Sequence, residues 1–188
     1  FMGTWDQVLC NALREEYDAD VALSAGVRWG TTTLEGEWIT MEDVMTQCSM
    51  TYAETYVQEM TGHDLLNILE QVADNLFDPD PYLQSGGDMV RVGGLDYTIE
   101  PAKKLYERIS DARLDNGHLI EADQTYKVAG WAQVNRTPEG RLMWDVVRDY
   151  IVKNKDKDNV LRLPKINHPK LVGVMKDPGI ADYPGEAS

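Results

Sequence analysis

Gly86-Gly87-Asp88-Met89-Val90-Arg91-Val92-Gly93-Gly94 is the run in which chemistry-bearing residue types lie closest together. Met89 to Val92 predicts a short strand carrying one arginine between two glycine pairs. Glycine tolerates positive φ and admits a close backbone or ligand, so the doublets predict a shaped edge. The planar donor fork of Arg91 suits sulfate-, phosphate- or carboxylate-like groups. It equally suits a β-hairpin whose arginine pairs with a surface carboxylate. A second candidate is Ser24-Ala25-Gly26-Val27-Arg28-Trp29-Gly30, a glycine-flanked loop directly after the strand-like run Val21-Ala22-Leu23. Ligand loops of α/β proteins lie at such places. Trp131 follows another strand-like run and a glycine, with Gln133, Asn135 and Arg136 next. Arginines, amides and tryptophans from these segments can converge on one polar anion. Core packing is the alternative fate of Trp29 and Trp131.

A complete catalytic apparatus is not visible in these residues. His63, His118 and His168 are scattered without metal-ligand spacing, and solvated or capping roles suit them. Cys10 and Cys48 have neither metal-like spacing nor a disulfide framework. With 32 acidic residues, neighbouring carboxylates carry no information by themselves. Ser24 lacks the nucleophile-elbow pattern and has no assignable base.

Periodicity supplies the elements that must position these groups. Val8, Leu9, Ala12, Leu13 and Tyr17 form a helical stripe over about 4–17. Thr40 with Asp43 predicts a capping box opening a short helix through Met45. Thr51 to Met60 is β-rich. Thr61 followed by Asp64 caps a helix whose face carries Leu65, Ile68, Leu69, Val72 and Leu76, ended by Asp78-Pro79-Asp80-Pro81. The glycine-bracketed strand comes next, with Leu95 to Ile99 as its expected partner. Tyr106 to Leu114 continues extended, and Asn116-Gly117 marks a hairpin turn before His118 to Ile120. Tyr126 to Trp131 predicts an inner strand, and Leu142, Met143, Val146, Val147, Tyr150 and Ile151 a last helix. Interleaved helices, strands and hairpins imply an α+β fold with a mixed β-sheet and packed helices.

The 188 residues suit one domain over 1–153, followed by a charged, proline-punctuated tail, 154–188. The tail is expected to pack on the domain or on a missing catalytic domain. A net charge of −14 argues against sequence-independent nucleic-acid binding. An anionic substrate is compatible with it only through a local arginine pocket. No apolar run approaches the ~20 residues of a membrane span. Phe1-Met2-Gly3-Thr4-Trp5-Asp6 has no signal-peptide character and suggests the interior of a longer protein.

Several segments, in order, resemble the C-terminal domain of the 5′-nucleotidase family, and within it the SoxB thiosulfohydrolase branch. These are Ala19 to Arg28, Ile39 to Met45, Asp74-Asn75-Leu76-Phe77-Asp78-Pro79-Asp80-Pro81-Tyr82 and Gly86 to Gly94. The resemblance spans about 3–151. Nucleotidases carry Asn-Gly-Gly-Gly-Ile-Arg where this chain has Ser-Ala-Gly-Val-Arg-Trp-Gly. At the position of one base-stacking aromatic it has Met89, with Arg91 replacing a glutamine. Ala129-Gly130-Trp131-Ala132-Gln133 stands where a Gly-Gly-Asp-Gly-aromatic loop supplies the second ring. Base stacking contributes roughly 1–3 kcal/mol, so these departures weaken nucleotide binding, while an added arginine suits a sulfur oxyanion.

The resemblance implies a substrate-recognition domain with no catalytic residue or metal ligand of its own. Arg28 and Arg91 would clamp the anion, and Asp88 would orient an arginine or line the channel. Trp29, Trp131, Gln133 and Tyr82 are further substrate-binding candidates. It further implies two manganese ions in a separate N-terminal metallophosphoesterase-like domain. The full enzyme would release, as sulfate, the sulfone group of a cysteine S-thiosulfonate on the SoxYZ carrier, in the periplasm. The fragment alone is expected to be inactive. The alternatives are a nucleotidase-like phosphoesterase domain and a non-catalytic protein-docking module.

Overall fold

A computed structural model describes residues 1–26, 32–48, 52–133 and 140–174. Among these residues, four helices, α1 (Thr4–Tyr17), α2 (Met41–Gln47), α3 (Gly62–Phe77) and α4 (Met143–Asn154), pack around seven strands. The strands are β1 (Val21–Ser24), β2 (Thr55–Thr61), β3 (Arg91–Gly93), β4 (Leu95–Ile99), β5 (Ile109–Leu114), β6 (Thr125–Trp131) and β7 (Lys170–Leu171). The architecture is α+β, as the interleaved pattern implies.

Local signals account for the element ends. Thr40 Oγ1 accepts from the Asp43 N–H while the Asp43 carboxylate accepts from the Thr40 N–H, so the expected capping box opens α2. Thr61 Oγ1 accepts from the Asp64 N–H at 3.1 Å at the start of α3. The Asn116-Gly117 turn closes with Gly117 N–H donating to the Leu114 carbonyl at 2.8 Å.

The main sheet runs β2-β6-β1-β3, with β1 and β6 parallel and the other pairs antiparallel. Alternation splits its residues between two cores. Ala22, Ala129 and Trp131 face α1 and α4, whereas Val21, Leu23, Val92, Tyr126 and Val128 join Leu65, Leu69 and Ala73 of α3. A second sheet, β5-β4-β7, completes the far side.

Leu95–Ile99 is not the partner of the glycine-bracketed strand, contrary to the sequence expectation. β3 pairs instead with β1, in the register Ala22↔Gly93, Leu23↔Val92 and Ser24↔Arg91. β4 pairs with β5 and β7. Gly94 makes the hand-off: at φ +80° it turns the chain out of one sheet and into the other. An added Cβ there would lie 2.4 Å from the Asp20 carbonyl oxygen.

Beyond α4, Leu161, Leu163 and Ile166 pack against the α1–α4 core. Lys170–Leu171 then adds parallel to β4, in the register Thr98↔Lys170.

Candidate functional site

The parallel strands β1 and β6 end at the same edge of the main sheet, and ligands of open α/β sheets bind outside carboxyl ends. Ser24, the last residue of β1, ties this edge together. It lies opposite Arg91 in the register, and its Oγ accepts from Trp131 Nε1 at 2.7 Å. The chain leaves the edge through Ala25 and Gly26 into 27–31. Arg28 and Trp29 fall in that stretch, outside the described residues.

Arg91 begins β3, its side chain only 12% exposed and on the face turned to α1. A close helix–strand approach puts it there. Asp6 and Cys10 lie one turn apart on α1, and Arg91 and Gly93 lie two apart on β3, so each pair shares a face. A Cβ on Gly93 would sit 2.4 Å from Cys10 Cβ, which is possible only for glycine. With helix and strand in that contact, Asp6 Oδ2 comes to 3.3 Å from Arg91 Nε. The same Oδ2 accepts from the Gly3 N–H at 2.7 Å at the start of α1. Arg91 Nη1 donates to the Met89 carbonyl at 2.6 Å. Nη2 lies 3.8 Å from Asp88 Oδ2, and a Cβ on Gly26 would meet Asp88 Oδ2 at 2.7 Å and Arg91 Nη2 at 3.1 Å. Arg91, Asp88 and Gly26, the last described residue before 27–31, therefore meet at one point.

The other candidates are placed differently. Trp131 is buried in the α1–α4 core, its one donor engaged by Ser24. Gln133 lies just past β6, half-buried, and its enclosed Oε1 has no hydrogen-bond partner among the described residues. Tyr82 is 96% exposed on the loop after α3, where its N–H donates to Asp80 Oδ1 at 2.9 Å. Met89, in the position of a stacking aromatic, is buried in the α3 core.

Three charged residues are buried among the described residues, Asp6, Glu70 and Arg108, and Glu70 accepts from the Tyr106 and Ile109 N–H groups at 2.9 and 2.6 Å. Arg108 pairs with Asp74 and donates from Nε to the Pro101 carbonyl at 3.2 Å, fastening the start of β5 to the end of α3. Nothing in the sequence around Asp6 singled it out.

The thiols are poor nucleophiles here. Burial pushes Cys10 well above the ordinary thiol range, with the nearby Asp6 charge adding to it. Burial alone takes Cys48 to about 12. Among the described residues no three His, Cys, Asp or Glu side chains are grouped to hold a metal ion. Among the described residues the donors at this edge, the Arg91 guanidinium and nearby amide groups, suit an anion.

Comparison with known proteins agrees with the fold. The profile described as 5′-nucleotidase, C-terminal domain, matches residues 3–136. Among solved structures, the sulfate thiohydrolase SoxB of Thermus thermophilus, in complex with glycerol, is 30% identical with a TM-score of 0.78, covering 92% of this chain and 32% of that one. A putative 5′-nucleotidase of Staphylococcus aureus, in complex with α-ketoglutarate, is 20% identical with a TM-score of 0.67, covering 89% of this chain and 36% of that one. A 5′-nucleotidase precursor, also of Thermus thermophilus, is 15% identical with a TM-score of 0.68, at 90% and 35% coverage. At those identities the two nucleotidases share the fold alone. No curated protein sequence matches this chain. The chain thus spans about a third of the length of the structures it resembles. A profile match over most of its length shows that the chain belongs to the 5′-nucleotidase C-terminal domain family.

Proposed function

We propose that this chain is the substrate-recognition domain of a SoxB-like thiosulfohydrolase, holding a terminal sulfonate while a companion domain hydrolyses it. The observation that carries the proposal is Arg91, a guanidinium at the carboxyl edge of β1 and β6 where a nucleotidase would present a glutamine beside a stacking ring. The likeness to SoxB across 92% of the chain supports it. A compact oxyanion needs charge-assisted donors, and Arg91 Nη2 beside the Gly26 loop supplies one. A nucleobase needs an exposed aromatic face, and Met89 and Trp131 are both buried.

The hydrolytic centre, with two manganese ions, belongs to an N-terminal metallophosphoesterase-like domain. When bound there, such ions activate water and polarise the sulfuryl oxygens. The residues described here bind and orient. Arg91 neutralises the anion and Asp88 lines the approach; Arg28 and Trp29, outside the described residues, are the further binding candidates, with Gln133 and Tyr82 after them. The substrate is a cysteine S-thiosulfonate on a SoxYZ-type carrier, met in the periplasm. No helix is long and apolar enough to cross a membrane among the described residues.

The complete gene product, assayed in parallel on thiosulfonate-loaded carrier and on nucleoside monophosphates, tests this. Sulfate release without phosphate release is the expected result. Phosphate release alone would replace it with a phosphoesterase. Neither product, from a gene that encodes no companion domain, would leave a docking module.

A further inference from the structure

Three nitrogens of Arg91 face three different ways: Nη1 is hydrogen-bonded inward, and Nε is enclosed beside Asp6 without a hydrogen-bond partner among the described residues. Nε faces Asp6 at 3.3 Å and Nη1 donates to the Met89 carbonyl. Only Nη2 turns toward the Gly26 loop, where it meets Asp88. The two carboxylates at this guanidinium differ sharply. The Asp6 side chain is 4% exposed on a helix clamped to the strand, whereas that of Asp88 is 41% exposed and its oxygen is 3.8 Å away.

Asp6 is also an unusual choice for packing alone. Its Oδ1 is enclosed without a hydrogen-bond partner among the described residues. An enclosed acceptor left unmade is costly. Capping the Gly3 N–H needs one oxygen, which asparagine could equally provide. What asparagine lacks is the charge facing Arg91 Nε.

We infer that Asp6 is a positioning residue for Arg91. It fixes the guanidinium so that Nη2 alone is presented to an anionic substrate, while Asp88 competes for that same nitrogen. This rests on the anion-binding function proposed above and adds the residue that orients the clamp.

The sign of two charge-neutralising substitutions separates positioning from simple electrostatics. By Coulomb's law, removing either carboxylate strengthens the local positive potential and should tighten anion binding. Positioning predicts opposite signs. Asp6→Asn weakens binding of inorganic sulfate about tenfold, the scale of one close, shielded charge pair. Asp88→Asn tightens it about threefold, the scale of a partly exposed pair. Titration calorimetry with sulfate on the full chain measures both, with melting temperatures recorded alongside. The Arg91 Nε–H resonance, assigned by its loss in Arg91→Lys, should be protected from exchange and should shift in Asp6→Asn. Tightening or no change in Asp6→Asn, or an Nε–H resonance that stays put, overturns the inference. A parent chain that binds no sulfate, while Arg91 Nε–H still responds to Asp6, instead sinks the proposed function and leaves Asp6 as the holder of Arg91. Should Asp6→Asn fail to fold, an Nε–H in the parent that exchanges freely and shows no nuclear Overhauser contact to the Asp6 β-protons overturns it as well.

Discussion

Gly93 shows how a single missing methyl shapes the candidate site. α1 approaches β3 closely enough that Cys10 Cβ occupies the volume a side chain would need, 2.4 Å from the built position. Two residues along β3 and one turn along α1, the same contact sets Asp6 beside Arg91. Gly93→Ala therefore has two linked consequences. Overpacking lowers stability by about 1–3 kcal/mol in denaturant unfolding. The helix also moves off the strand, which displaces the Arg91 Nε–H resonance. Unchanged stability with an unmoved resonance would show that the approach is not tight. Arg91 and its glycine bracket were legible in the sequence as an anion-binding candidate. Asp6 was not: one aspartate among 32 acidic residues has no distinguishing neighbour until helix and strand meet.

At the scale of elements, local chemistry explains most of what forms. α3 carries Leu65, Leu69 and Ala73 on its buried side, spaced four apart, with Thr61 as its cap. Thr61 Oγ1 also donates to Asp64 Oδ2 at 2.7 Å, so the cap residue and the third helical residue bind each other. Thr61→Ala should cost about 1 kcal/mol, lowering the melting temperature by about 2–4 °C in a chain of this size. A shift near zero would mean that the α3 start is held by packing alone. Helix periods, both caps and the Asn116-Gly117 turn were readable because each is encoded within a few residues. The partner of β3 was not. Adjacency suggested Leu95–Ile99, but Gly94 diverts the chain and the register belongs to β1, some seventy residues earlier.

Across the whole molecule, the segment after α4 is locked down by charge. Asn167 is buried and threads a network: its N–H donates to Gln7 Oε1 at 2.8 Å, and its Oδ1 accepts from the Gly94 N–H at 3.0 Å. Its Nδ2 donates to Asp96 and Asp115 at 2.9 and 3.0 Å. Lys165 Nζ bridges the same two carboxylates, and Arg14 Nη1 reaches Asp115 at 2.8 Å. Burial works against ionisation of Asp115, yet donors from Lys165 and Asn167 and the Arg14 charge hold its carboxyl below the ordinary range. Burial likewise opposes charging of Lys165, but the two carboxylates raise it. A carboxyl lowered by folding contributes stability above its unfolded value, about 3.9, and loses it as pH falls through the folded one. An ammonium raised by folding contributes below about 10.4 and loses it as pH rises through the folded value. Amide-exchange protection at Asn167, corrected for intrinsic rates, should therefore hold between about pH 4 and 10 and fall on both sides. Protection that persists below that window would assign the fastening to Leu161, Leu163 and Ile166 instead.

Composition, helix stripes, caps, turn residues and the glycine-bracketed arginine were settled by the chain itself, because each depends on neighbours a few positions away. They were enough to indicate an α+β domain and to single out Arg91 as a candidate for anion binding. Tertiary structure alone decided which strand receives β3, that Trp131 spends its donor on Ser24 inside the core, and that an early aspartate faces Arg91 from far along the sequence. Such pairings depend on register and on how closely a helix can sit upon a sheet. That distance is set by packing volume, which no local pattern of residue types specifies.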